Sequence, residues 1–158
     1  MSVKEQISQE LVRQGALDRL ADRKRTRLIL GAAASGLPQR EISRCLHNVS
    51  QTTVNRILAR AETDPDLDRT TPAEVIDRYA AGEIDEKDMM ETLANWVYTF
   101  GGVRSVDGVD TDAYTSGDWD QVERAFYRGL LNDEQFEALM RRQNELLDRN
   151  IAASRPAR

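Results

Sequence analysis

The sequence predicts an all-α protein in two parts, and three observations carry that prediction. Apolar residues recur at helical rather than alternating spacing through most of the 158 residues. The charge is divided: residues 1–62 hold 11 Lys and Arg against 6 Asp and Glu, whereas residues 63–158 hold 11 against 21. The second part also repeats one signal twice, a glycine at the end of a helical run followed by a capping residue. The expected architecture is an N-terminal helical bundle over 1–62, an acidic linker over 63–72, and two helical hairpins over 73–158.

The elements follow in order. Ile7, Leu11 and Val12 fall at helical spacing, and Gly15 offers a break. The first segment is then free to pack on the bundle or to serve as a dimer arm. A second helix is expected over 16–34, with Leu17, Leu20, Leu28, Ile29 and Leu30, ending at Ser35-Gly36. Its run Arg23-Lys24-Arg25-Thr26-Arg27 suits either a solvated face or contact with a polyanion.

A short helix should begin near Pro38, since proline is well tolerated at a first helical position. It turns Ile42 and Leu46 inward, one helical turn apart. Val49 plugs the turn, and Asn48 tolerates the left-handed backbone a tight turn requires. Ser50 caps the next helix, whose Val54, Ile57 and Leu58 face the same small core. Gln51, Thr52, Asn55 and Arg56 are left pointing outward.

This stretch resembles the helix-turn-helix regulators of bacteria and phages, which carry an E-I-x-x-x-L…V-S-x-x-T-V-x-R-I-L pattern. The resemblance covers about a quarter of the chain. Two departures stand out. His47-Asn48 lengthens the turn by about one residue and replaces its usual glycine. Pro38 stands where the family often has Ser or Thr, so a capping box with Glu41 is lost.

The resemblance implies that the helix over 50–61 enters the major groove of double-stranded DNA. Gln51, Thr52, Asn55 and Arg56 would then read base edges, Arg suiting guanine and Gln or Asn adenine. Ser50, Thr53, Arg40, Lys24 and Arg25 would hold phosphates, which sets register without reading sequence. A sequence-specific transcriptional regulator is expected, a repressor where its site overlaps a promoter. Dimerisation is common in such proteins, and the acidic half can supply it.

The stretch 63–72 is polar and acidic with two prolines and reads as a linker. No alternating strand pair follows the reading helix, which argues against a winged variant. Beyond it, Tyr79-Ala80-Ala81-Gly82-Glu83-Ile84-Asp85 aligns with Phe126-Tyr127-Arg128-Gly129-Leu130-Leu131-Asn132. In each copy a helix ends at glycine and Asp85 or Asn132 caps the next. Helices are expected over 72–81, 85–100, 118–128 and 132–151. Ile84 with Met89 and Leu93, and Leu131 with Phe136 and Met140, supply matching core residues. Trp96, Tyr98, Phe100, Trp119, Phe126 and Tyr127 add the aromatic area to hold a small four-helix module. Such hairpins resemble generic interaction modules.

The connection over 101–117 is long for a compact module. Asp107, Asp110 and Asp112 lie in it, but their spacing does not match an EF-hand and no glutamate follows where one is required. A flexible or partner-binding loop is expected, with Trp96, Tyr98 and Phe100 as further contacts. No metal site and no cofactor are expected.

An enzyme is not expected either. The single histidine, His47, sits in a turn, there is no Cys/His cluster, and Gly101-Gly102 is no phosphate loop. One cysteine, Cys45, permits no internal disulfide and is expected to pack. No apolar run is long enough to span a membrane and the start is no signal peptide, so a cytoplasmic setting is expected. A different class of function also fits: an antitoxin-like or phage or plasmid regulatory protein, whose acidic half binds and neutralises a protein partner. A structural role in plasmid or phage DNA maintenance, with many copies on repeated sites, is a third.

Overall fold

A computed structural model describes residues 1–106, 109–115 and 117–155, with only the backbone described over 103–106 and 109–115. The chain is all-α in class, with one small β-hairpin set between helices. It divides into two compact units, Met1–Thr70 and Thr71–Arg158.

The first unit begins with α1, Val3–Ala34, a single helix of 32 residues. A break at Gly15 does not occur. One glycine costs a helix only about 1 kcal/mol relative to alanine, and good helix formers flank it on both sides. Ser2 caps the start in a reciprocal capping box with Glu5. The helix ends at Ser35 and Gly36, where Gly36 takes φ +91° and the Leu37 N–H donates to the Ala32 carbonyl at 3.0 Å. The N-terminal turns of α1 stand clear of the core, and burial begins at Ala16. Val3, Ile7 and Leu11 are exposed, while Ile29 is buried.

Two shorter helices, α2 (Gln39–Leu46) and α3 (Gln51–Thr63), close on the C-terminal part of α1. Ile29, Ile42, Val49 and Val54 form the buried core, with Ala32, Ala33, Leu46, Ile57 and Leu58 partly buried around it. The acidic stretch after α3 is not a free linker. Leu67 and Arg69 donate backbone bonds to the Asp64 and Asp66 carbonyls, and Arg27 Nε on α1 donates to the Asp68 carbonyl at 2.8 Å.

The second unit contains α4 (Pro72–Ala80), α5 (Glu86–Ala94), α6 (Trp119–Tyr127) and α7 (Asp133–Ser154). The internal repeat is visible atom by atom. After α4 the Glu83 N–H donates to the Arg78 carbonyl at 2.8 Å, and after α6 the Leu130 N–H donates to the Ala125 carbonyl at 2.9 Å. Gly82 and Gly129 supply the positive φ at the same point of each turn, +81° and +77°. Asp85 and Asn132 then cap α5 and α7 through the N–H groups of Asp88 and Gln135, each at 2.8 Å. Helix α4 packs on α5 and α6, and α7 on α5 and α6, so the two hairpins face each other with like partners.

The core of this unit holds Val75, Ile76, Met89, Leu93, Tyr98, Trp119, Val122, Ala125, Leu131 and Leu139. Phe126 stacks on Phe136 with centroids 4.3 Å apart, and Tyr98 meets Trp119 edge-on at 4.9 Å. Three expectations are corrected here. Leu139, not Met140, completes the α7 side of the core, and Met140 faces outward. Tyr127 is exposed and adds nothing to the interior. Helix α5 stops at Ala94 instead of reaching residue 100.

The last difference has a local cause. Trp96-Val97-Tyr98-Thr99-Phe100 is aromatic and β-branched, which suits extended backbone and alternate facing. Tyr98 turns into the core and Val97 turns out. Asp118 clamps the segment: its carboxylate accepts from Trp96 Nε1 at 2.9 Å, from the Thr99 N–H at 2.6 Å and from Thr99 Oγ1 at 3.0 Å. The connection expected as a loop over 101–117 is a hairpin in its backbone, with β1 (Gly102–Val106) antiparallel to β2 (Val109–Thr115). Val106 pairs with Val109 and Gly102 with Thr115, with an irregularity between Val103 and Ser105. Among the described residues no helix is long and apolar enough to cross a membrane.

Candidate nucleic-acid interface

The turn between α2 and α3 decides how the exposed side of α3 is presented. His47 occupies φ +61°, ψ −41°, and the Asn48 N–H donates to the Leu46 carbonyl at 2.7 Å. That is a three-residue γ-turn of the rarer hand, strained for any residue with a Cβ. Asn48 was the residue expected to take the left-handed backbone; His47 takes the positive φ instead. Two bonds hold the strain in place. The His47 N–H donates to the Ser43 carbonyl at 3.1 Å, and Ser43 Oγ donates to the Val49 carbonyl at 2.6 Å. Val49, directly after, is buried and anchors the turn to the core.

Helix α3 then starts from a well-formed cap. Ser50 Oγ accepts from the Thr53 N–H at 3.1 Å and shares a hydrogen bond with Thr53 Oγ1 at 3.0 Å. Helix α2 has no side-chain cap, as Pro38 dictates; the Pro38 carbonyl accepts from the Glu41 and Ile42 N–H groups. Glu41, freed from capping, pairs with Arg44, whose Nε donates to it at 3.0 Å. The hydrogen bond from the Arg44 guanidinium holds the Glu41 carboxyl below its ordinary range. Arg44 is thereby neutralised as a source of positive potential.

On the outer side of α3, Gln51, Thr52, Asn55 and Arg56 are all exposed, one face of the first two turns. Val54 is fully buried behind them, and Ile57 and Leu58 are half-buried. The four exposed groups offer amide, hydroxyl and guanidinium hydrogen bonds in a row, the chemistry that base edges accept. One contributor was not anticipated. Gln39, at the start of α2, lies with Nε2 3.5 Å from Asn55 Oδ1, at the outer limit of a hydrogen bond. Its place in the first turn of α2, sixteen positions from Asn55, gives no pattern signal; only the helix-helix angle brings the two together.

The candidate phosphate residues fall into two groups. Ser50 and Arg40 are exposed beside the α3 face, and Thr53 is half-buried. Lys24 is exposed on α1. Arg25 is paired with Asp22 at 2.6 Å, and Arg27 is spent on the Asp68 carbonyl. The basic run of α1 is therefore in large part engaged within its own unit. Cys45, expected to pack, is exposed on α2.

The partner-binding candidates lie in the second unit and separate in the same way. Tyr98 is buried, and its hydroxyl donates to the Leu93 carbonyl at 2.7 Å; burial pushes the phenol well above its ordinary range, with the Asp118 charge adding to the shift. Trp96 is half-buried with its N–H on Asp118, and Phe100 is exposed. Asp107 lies outside the described residues, and Asp110 and Asp112 are described only as backbone of β2. Among the described residues no cluster of His, Cys, Asp and Glu is arranged to hold a metal ion. Comparison with protein-family models, with curated proteins and with solved structures finds no match for this chain.

Proposed function

We propose that the protein is a sequence-specific double-stranded DNA-binding regulator of transcription, acting as a repressor by occupying its site. Helix α3 enters the major groove, with Gln51, Thr52, Asn55 and Arg56 reading bases and Ser50, Thr53, Arg40 and Lys24 holding the backbone. The observation that carries this reading is the division of α3 itself. Four readout-type side chains are exposed over its first two turns, while Val54 behind them is fully buried and the preceding turn is held by three bonds. A reading helix must be rigid relative to its domain if base contacts are to discriminate. The excess of Lys and Arg over Asp and Glu in residues 1–62 adds the long-range attraction that DNA binding uses.

Selection of bound fragments from random duplex DNA by the full-length protein at physiological salt tests it. A short shared motif is expected. Arg56→Ala should weaken binding to that motif by about 1–3 kcal/mol and relax preference at one base pair, leaving non-specific binding nearly unchanged. Binding that is weak, salt-sensitive and blind to sequence, in wild type and variant alike, sinks the proposal.

A further inference from the structure

The outer side of α7 carries a pattern that its own unit does not use. Met140, Asn144, Leu147 and Ile151 follow one another at spacings of four, three and four residues, the seam of a two-helix coiled coil. All four are exposed, and the three apolar ones keep about half their surface in water: 43%, 47% and 55%. Beside this seam, the extended segment after α5 and the body of α7 enclose a groove of about 290 Å³. Val97, Phe100, Leu146, Leu147, Gln143 and Asn150 line it, and Val97 is 90% exposed. Gln143 is 7% exposed, yet its Nε2 has no hydrogen-bond partner among the described residues.

We propose that α7 pairs antiparallel with α7 of a second copy of this chain, making a two-fold symmetric dimer. The charged residues that flank the seam select both the occupant and the direction. In an antiparallel two-fold pair, Met140 packs on the partner's Ile151, and Asn144 on the partner's Leu147, so every seam position finds a seam position. Side chains on the same flank then meet across the axis. Arg141 comes beside the partner's Asp148 on one flank, and Gln143 beside the partner's Asn150 on the other, each contact made twice by symmetry. A parallel pair instead sets Asp148 against the partner's Gln143 and leaves Arg141 without an acid. Asn144 lowers the affinity, because its amide faces the partner's Leu147 and finds no polar partner there.

This inference stands on the second unit alone, and deepens the DNA-reading proposal by giving it two reading helices. Sedimentation equilibrium of the full-length protein over a wide concentration range is expected to show a monomer–dimer equilibrium. Leu147→Asp should weaken self-association at least about tenfold with unchanged helical circular dichroism. Asn144→Leu, which adds apolar area to the seam, should tighten it, with the associated species still a dimer and the helical dichroism unchanged. Arg141→Asp or Asp148→Arg alone should weaken the dimer, and the two together should restore it. In a Cys45→Ser background, Met140→Cys with Ile151→Cys should form an oxidised dimer, whereas Met140→Cys alone should not. A wild type that stays monomeric, an association indifferent to Leu147→Asp and Asn144→Leu, or cross-linking by Met140→Cys alone would overturn the inference. A dimer that binds no DNA sequence would sink only the proposed function; a monomer that reads a motif would sink only the dimer.

Discussion

The two units of the chain spend their apolar residues differently. The first buries four side chains in its α1–α2–α3 core, and leaves Val3, Ile7 and Leu11 of α1 in water. The second buries ten and adds a ladder of aromatic contacts around Trp119 and Phe136. Their turns differ in the same sense. In the second unit both hairpins turn on a glycine that accepts positive φ at no cost, whereas α2 and α3 are joined through His47, which does not. A small core with a strained turn and an exposed polar helix face is a poor way to build stability. It is a sensible way to present a fixed surface, and the difference between the units follows that division of labour.

The largest expected effects test whether the two cores are separate. Leu139→Ala should cost the second unit about 2–5 kcal/mol, and Ile42→Ala should cost the first a similar amount. Trp96 and Trp119 both belong to the second unit, so tryptophan fluorescence reports that unit, and far-ultraviolet circular dichroism reports both. Leu139→Ala should shift the fluorescence transition in urea, and Ile42→Ala should shift only the dichroism. A common shift in both signals would show one cooperative unit and end the comparison.

A second effect sharpens the contrast within the second unit. A Cβ on Gly117 would lie 2.3 Å from the Thr99 carbonyl oxygen, a backbone atom that cannot step aside alone. Gly117→Ala should therefore cost about 1–3 kcal/mol and change the near-ultraviolet dichroism of Trp96 and Trp119 as the Asp118 clamp shifts. A neutral result would mean that the segment after α5 is looser than its hydrogen bonds imply.

The turn of the first unit gives a smaller effect of opposite sign. His47→Gly should stabilise the unit by about 1 kcal/mol, relief of strain outweighing the glycine's greater freedom when unfolded. Thermal unfolding followed by dichroism checks it. Destabilisation would show that the imidazole makes a contact that outweighs the backbone strain.

The smallest effect is the response to alkali. Tyr98 has its phenol pKa raised in the folded state, so folding favours the protonated form. That contribution is complete below the ordinary tyrosine range near pH 10 and is lost as the pH rises above it. Tyr98→Phe should lose about 1 kcal/mol at neutral pH with the hydrogen bond to Leu93, and should flatten the alkaline decline. Urea titrations at pH 7 and above pH 10 separate the two terms; an unchanged decline would exclude Tyr98 as its source.

Much of this was legible in the residues because helix ends are local events. Ser50, Asp85 and Asn132 cap the helices they precede, and Gly36, Gly82 and Gly129 end the ones they follow, since each acts on backbone groups within a few positions. The outward row on α3 was legible for the same reason, once Val54, Ile57 and Leu58 were read as its inner face. Extended structure was not. The alternation of residues 96–100 was masked by the helical pattern before it, and strand pairing over 102–115 depends on a partner strand rather than on local spacing.

By itself, then, the sequence determined the class, the helix boundaries set by caps and glycines, and the division into a basic and an acidic part. Only the tertiary structure decided which residues those helices bury. Leu139 goes inward and Met140 outward although they are neighbours with similar hydrophobicity, because the facing surfaces of α5 and α6 set the rotation of α7. Tyr98 is withdrawn from the surface, Arg25 is paired with Asp22, Arg27 is tied to the Asp68 carbonyl, and Gln39 is brought to Asn55. Caps act within one turn of chain, whereas burial and pairing depend on elements many residues away, and no local pattern encodes where those will lie.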